Sequence, residues 1–200
     1  MKVVGLCGGI GAGKSTVARL LAERGAVVVD VDALGHSVLA HDEVRHAVVA
    51  EFGDGVLDAD GGIDRAALAR EVFSCEGRLT DLEAISHPAI DREIAGHLET
   101  LASDPPDLVV LDMAVLVESD LGKLSDGGGY TEVVVVEAHA DVRLERLVAR
   151  GMAADDARAR MAAQATDAER RAVADHVLVN DGDKADLAER VDELIPLLMA

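Results

Sequence analysis

The sequence predicts an α/β fold, a five-stranded parallel sheet with helices on both faces, and three observations carry that prediction. Short apolar runs at residues 2–6, 27–32, 108–113, 132–136 and 176–180 alternate with stretches of helical periodicity, the pattern of strands joined by crossover helices. The runs at 108–113 and 132–136 are almost unbroken Leu and Val, as strands covered on both faces require. A glycine-rich segment, GLCGGIGAGKST, joins the first run to the first helical stretch.

That segment, residues 5–16, satisfies G-x-x-x-x-G-K-[ST] with Gly8, Gly13, Lys14 and Ser15. Its glycines let the backbone wrap a polyphosphate with N–H groups turned inward, and the helix beginning near Lys14 adds the positive end of its dipole. Gly11, Ala12, Gly13, Ser15 and Thr16 then form the cradle for ATP. Lys14 reaches the β- and γ-phosphates, and the Ser15 hydroxyl sits on Mg²⁺. A glycine-rich turn without a ligand gives no reason for a lysine at that one position, in a chain that has only four. Strand, loop and helix follow one another as the motif demands, which makes the fold a three-layer sandwich of the P-loop NTPase type.

Two hundred residues suffice for one compact α/β domain and are short for two. Half are hydrophobic, yet the aromatics are limited to Phe52, Phe73 and Tyr130, so the core must be built from Val, Leu, Ile and Ala. The same scarcity removes the stacking platforms on which single-stranded nucleic-acid binders rely. With 38 acidic against 19 basic side chains the formal charge is -19, which opposes nucleic acid as a partner. A nucleotide site in so acidic a chain has to be locally basic, so clustered arginines matter. Cys7 and Cys75 lack the spacing of a metal or redox pair and are expected as reduced thiols of a cytoplasmic protein. The N-terminus enters the phosphate loop after a very short apolar run, unlike a signal peptide, and no segment approaches the length of a membrane span.

Taken in order, the second strand is expected to end in Asp30-Val31-Asp32. Acids at the carboxyl end of a strand face the ligand crevice of an open α/β sheet, and the two share a face if the strand runs to Asp32. One is suited to accept a proton from a substrate hydroxyl, the other to order Mg²⁺ or its water. Capping of a helix that begins near Ala33 accounts for Asp32 and leaves Asp30 unexplained. A helix at 42–51 precedes a turn-rich loop at 52–62, where Asp58, Asp60 and Asp64 lack the spacing of a calcium loop and Asp64 is better taken as an N-cap. Residues 65–101 are helical, with breaks expected at Gly77, ahead of Pro88 and at Gly96. This block is a candidate substrate-binding insertion, with Arg65, His87 and Arg92 as candidate contacts, and His87 should leave the helix because it precedes Pro88.

The strand at 108–113 ends at Asp112, a carboxylate of the Walker B kind, with Glu118 close behind. Residues 141–174 gather Arg143, Arg146, Arg150, Arg158, Arg160, Arg170 and Arg171. Arg146 and Arg150 are neighbours on one helix face, Gly151 ends that helix, and a second helix is expected at 155–163. Such a hairpin, hinged near Gly151, forms a lid that brings arginines against a transferring phosphoryl group. The alternative is an exposed helix laced with ion pairs to Glu145, Asp155, Asp156 and Glu169. Asn180 at the last strand end is placed to read an adenine edge, and 184–199 forms an amphipathic terminal helix.

With these motifs assembled, the chain resembles the dephospho-CoA kinase family over nearly its whole length. Beside the phosphate loop, the resemblance rests on Asp30-Val31-Asp32 with Leu34 and His36, on Phe52-Gly53 through Asp60-Gly61, on Asp64-Arg65, Leu68 and Val72-Phe73, and on Leu82-Glu83-Ala84-Ile85-Ser86-His87-Pro88. It continues through Asp112 to Glu118, Arg146-Leu147, Arg150, Ala157, Arg160-Met161, Gln164, Ala174-Asp175 and Asn180. The element ending in His87-Pro88 is the most specific, since phosphate-loop kinases in general lack it. The resemblance implies ATP-dependent phosphorylation of the ribose 3′-hydroxyl of dephospho-coenzyme A, the last step of coenzyme A synthesis. It implies one kinase domain, with a nucleotide-binding core at 1–60, 104–140 and 174–200, a helical acceptor region at 61–103 and a lid at 141–173. Lys14, Asp32 and Arg146 are then catalytic, Asp32 being the base at the acceptor hydroxyl with Asp30 assisting. Ser15 and Asp32 lie on the Mg²⁺ side, Arg146 and Asn180 join the loop at ATP, and Asp30, Asp32, Arg65, His87 and Asp112 meet the acceptor.

The chain departs from the family pattern in four places. The family usually has a proline where Asp112-Met113-Ala114-Val115-Leu116 has Ala114, a small residue at Val31 and an alanine at Gly35, and a Gln at the start of the lid helix has no clear counterpart near Val142. Another small-molecule or nucleoside monophosphate kinase of this class would share the phosphate loop but not His87-Pro88. A nucleotide-dependent switch or ATPase would need a carboxylate or glutamine to position water, for which Glu118 is the candidate.

Overall fold

The computed structural model describes residues 1–200 apart from Glu76, Val115, Glu118, Asp120, Ser125 and Asp126. The chain forms β1 (Lys2–Gly8), β2 (Val27–Asp30), β3 (Leu108–Asp112), β4 (Glu132–Glu137) and β5 (His176–Val179). Its helices are α1 (Lys14–Glu23), α2 (Val31–Ser37), α3 (Asp42–Phe52), α4 (Arg65–Val72), α5 (Arg78–Leu101), α6 (Ala140–Ala149), α7 (Ala154–Ala162), α8 (Asp167–Val173) and α9 (Lys184–Leu198). Two compact units result, Met1–Asp30 with Leu98–Ala200, and Val31–His97.

The first unit contains the predicted five-stranded sheet, in the order β2-β3-β1-β4-β5, with every pairing parallel. β2 and β3 lie on one side of β1, β4 and β5 on the other, so the strand order reverses at β1 and its carboxyl end opens on the crevice where α/β sheets bind ligands. Val133 to Val136 are buried throughout, as their unbroken valine run requires. α1 contributes Val17, Leu20 and Leu21 to the core, and α9 contributes Leu187, Val191, Leu194 and Leu198 at helical spacing. Both meet Val4, Leu6, Val110, Val134 and Val136 of the sheet. Arg24, just past α1, clips the two helices together: its guanidinium binds the Asp192 carboxylate and donates to the Leu20 carbonyl. That contact holds the Asp192 carboxyl below its ordinary range.

The second unit is helical, and here the sequence expectations need two corrections. The strand expected over 27–32 stops at Asp30, whose pairing with Asp112 closes the ladder, and the chain turns at once into α2. Asp30 and Asp32 therefore do not share a strand face, and Asp32 sits in the first helical turn instead of capping a helix near Ala33. Val31 is 2% exposed and serves as the buried residue of α2. An acid in the first turn is favoured by the helix dipole.

The break expected before Pro88 does not occur, because α5 runs unbroken from Arg78 through His87, Pro88 and Gly96. A proline costs one backbone bond, but Ser86, Ile90, Ile94 and Leu98, buried at successive i, i+4 positions, carry one packed face across it. This compact unit begins at Val31. Residues of α3 belong with α5: Glu43 pairs with Arg92, and Arg78 lies 5.0 Å over the Phe52 ring. At Asp64 the expected N-cap is present, its carboxylate accepting from Ala66 and Ala67 N–H. Asp58 is likewise spent locally, accepting from the N–H groups of Asp60 and Gly62.

Candidate active site

β1 delivers the chain to the phosphate loop at Gly8, and α1 takes it up again at Lys14. The turn between them is closed by Ala12 N–H donating to the Gly9 carbonyl at 2.9 Å. Gly13 stands at φ 106, and a Cβ there would lie 2.2 Å from Asn180 Nδ2. Backbone conformation and space both demand glycine. Gly11 also has positive φ. Ser15 is exposed in the first turn of α1 beside Thr16, where the unpaired N–H groups and the dipole of a helix N-terminus favour an anion.

Lys14 Nζ lies 2.6 Å from Asp112 Oδ1, with both side chains largely buried. Asp112 closes β3 and is the register partner of Asp30 at the end of β2. The sheet thus brings a lysine and two acids to its carboxyl edge beside the loop.

On the other flank, Asn180 is 5% exposed and donates through Nδ2 to the Ala12 carbonyl at 2.7 Å. Arg146 donates to the same carbonyl and to Asn180 Oδ1, each at 3.4 Å. The carboxamide expected to read an adenine edge is engaged in holding the loop. A cavity of about 380 Å³ opens here, lined by Gly13, Thr16, Arg146, Arg150, Asn180 and Lys184 among others, within the usual size of a small-molecule site. A cavity of about 420 Å³ beside Leu116, Tyr130 and Val173 is larger but lies away from the loop.

The sequence model of the dephospho-CoA kinase family (CoaE) matches residues 2–186. The chain belongs to the dephospho-CoA kinase family. A dephospho-CoA kinase from Frankia casuarinae is 45% identical over 201 residues, covering 100% of this chain and 85% of that one. A Thermus thermophilus protein of known crystal structure superposes with a TM-score of 0.81 at 34% identity, covering 100% of this chain and 98% of the other. The dephospho-CoA kinase from Campylobacter jejuni superposes at 0.70 with 22% identity, over 100% and 98% of the two chains, a likeness of fold.

Within the dephospho-CoA kinase fold the remaining predicted residues fall in the helical unit. Arg65 opens α4 and its Nη2 lies 2.6 Å from His36 Nε2. Asp32 and His36 are four apart on α2, hence neighbours on one helix face. His87 is half-buried within α5. Glu118 lies outside the described residues.

The arginines of the segment expected as a lid divide by task. Arg158 is exposed and pairs with Asp155, and Arg171 holds the Glu137 carboxylate through Nε and Nη2. Arg146 and Arg150 line the cavity. Arg143 is 5% exposed; it donates through Nε to the Ile10 carbonyl at 2.9 Å and pairs with Asp167 at 3.2 Å. Burial pulls its guanidinium below the ordinary arginine value, with Asp167 acting the opposite way and Arg170 in the same direction. Gly151 does follow α6 with φ 90, but the expected hairpin gains a third helix, α8. Its signal was in the sequence: Thr166 and Glu169 form a capping box, each side chain taking the other's backbone N–H. The sequence also gave no role to Lys184 or to Gln164, whose Oε1 accepts from Ile10 N–H at 2.8 Å.

Proposed function

We propose that this chain transfers the γ-phosphoryl group of ATP to the ribose 3′-hydroxyl of dephospho-coenzyme A, giving coenzyme A and ADP. The observation that carries this is the family match over residues 2–186 joined to a phosphate loop whose lysine stands at the carboxyl edge of the sheet. In the transfer, the acceptor oxygen forms its bond to the γ-phosphorus as the bridging oxygen leaves with ADP, and the hydroxyl proton passes to the Asp32 carboxylate. Asp32 follows the end of β2 by two residues, so the chain itself ties the base to the strand that presents Asp30. Lys14 and the loop N–H groups balance charge on the β- and γ-phosphates, and Arg146 adds a cation from the lid side. The work is positioning and electrostatic stabilisation, with little covalent chemistry asked of the protein.

Mg²⁺ fits this donor set. Ser15 offers an exposed hydroxyl at the start of α1, Asp32 a carboxylate, and both are the hard oxygen ligands that Mg²⁺ accepts alongside phosphate. When bound it would neutralise charge on the phosphates. Arg65 and His87 belong on the acceptor, within a helical unit that offers a guanidinium already oriented by His36. Among the described residues no helix is long and apolar enough to cross a membrane, and we place the reaction in the cytoplasm. A coupled assay that offers ATP with dephospho-CoA, AMP, CMP or no acceptor tests the assignment. ADP should form rapidly with dephospho-CoA alone. Equal turnover with AMP or CMP would point to a nucleoside monophosphate kinase, and equal turnover without acceptor to an ATPase.

A further inference from the structure

The outer side of the phosphate loop is gripped by the lid segment at Ile10. Its carbonyl accepts from Arg143 Nε at 2.9 Å, and its N–H donates to Gln164 Oε1 at 2.8 Å. Arg143 is 5% exposed and its guanidinium is packed so closely under the loop that a Cβ on Gly9 would come within 2.5 Å of Nη2. Asp167, at the start of α8, binds Arg143 and Arg170 through the same oxygen. The two bonds at Ile10 therefore link the loop to α6 and to the segment that leads into α8. A buried arginine among these groups is too enclosed to be a mobile surface cation, and it spends Nε on a backbone carbonyl.

We propose that Arg143, aided by Gln164, is a positioning residue for the phosphate loop. It fixes the peptide groups on either side of Ile10 so that the neighbouring loop N–H groups keep the orientation that polyphosphate needs. Arg143 acts through the loop, and Arg146 remains the lid cation on the substrate side. The phosphates that such N–H groups hold are bound before and during transfer alike, so loosening them weakens ground state and transition state equally. Loss of that kind raises KM and leaves kcat largely intact.

The inference rests on the loop binding ATP, and ADP affinity measured by calorimetry judges it independently of the acceptor assignment. In Arg143→Ala, ADP affinity should fall and KM for ATP should rise by roughly tenfold, while kcat and KM for dephospho-CoA stay within about twofold of wild type. Arg143→Gln retains an N–H donor without the charge and should restore most of the ADP affinity. Gln164→Ala, which removes the second tether from a partly exposed position, should weaken ADP binding in the same sense and supplies the test if Arg143→Ala fails to fold. Unchanged ADP affinity in folded Arg143→Ala or Gln164→Ala overturns the proposal. So does rescue by Arg143→Lys but not by Arg143→Gln, which would assign Arg143 a direct charge role. A wild type that binds ADP yet ignores dephospho-CoA sinks the acceptor assignment alone.

Discussion

Asp32 is where sequence and structure differ most usefully. The period-two argument put Asp30 and Asp32 on one strand face, but the ladder ends at Asp30 and Asp32 enters a helix. The two acids therefore have different supports: Asp30 is fixed by the sheet opposite Asp112, and Asp32 by the first turn of α2. Replacing Asp32 by Asn keeps its size and removes the carboxylate proposed as base. Transfer to dephospho-CoA should fall by roughly 10²- to 10⁴-fold, with ADP affinity by calorimetry close to wild type. Normal turnover in that variant would remove Asp32 from the transfer step. Asn180, the strand-end amide expected at a base edge, also donates to the Ala12 carbonyl and so ties β5 to the phosphate loop.

At the scale of elements, local signals were strongest where one residue type had one job. Lys14 at its motif position, Asp64 as a cap and Gly151 as a stop all behave as their chemistry dictates. Pro88 misled because a proline's local cost was outweighed by a buried face that extends beyond it, a tertiary effect invisible in a short window. α8 is short and depends on its ends. Thr166→Ala removes the hydroxyl that accepts from Glu169 N–H, so amide protons in the first turn of α8 should exchange roughly fivefold faster, the equivalent of a cap worth about 1 kcal/mol. Hydrogen exchange read by NMR checks this, and unchanged rates would mean that packing of Arg170 holds the helix by itself.

Across the whole molecule, the parallel sheet, its five strands and the phosphate loop were legible because unbroken valine runs and a glycine motif are short-range patterns. Strand order and the start of the helical unit at Val31 were not, since both depend on contacts between distant segments. The acidic balance of -19 makes the placement of cations selective: Lys14, Arg146, Arg150 and Lys184 stand at the loop and its cavity, where phosphate charge would otherwise meet a negative field. At the opposite edge of the sheet, Glu132 joins Lys2 of β1 and His176 of β5. The bond from Lys2, then that from His176, holds its carboxyl below the usual carboxylate range. A carboxyl lowered on folding contributes stability above its unfolded range and loses it as pH falls through the folded value. Glu132→Gln should thus lower urea stability by about 1 kcal/mol or less near neutral pH, with the deficit shrinking in acid; a deficit that grows in acid would reverse the assignment. Most direct of all is ADP release from wild-type enzyme given ATP and either dephospho-CoA or its 3′-deoxy analogue. Transfer to the 3′-hydroxyl predicts rapid ADP formation with the first and almost none with the second; equal rates with both would contradict it.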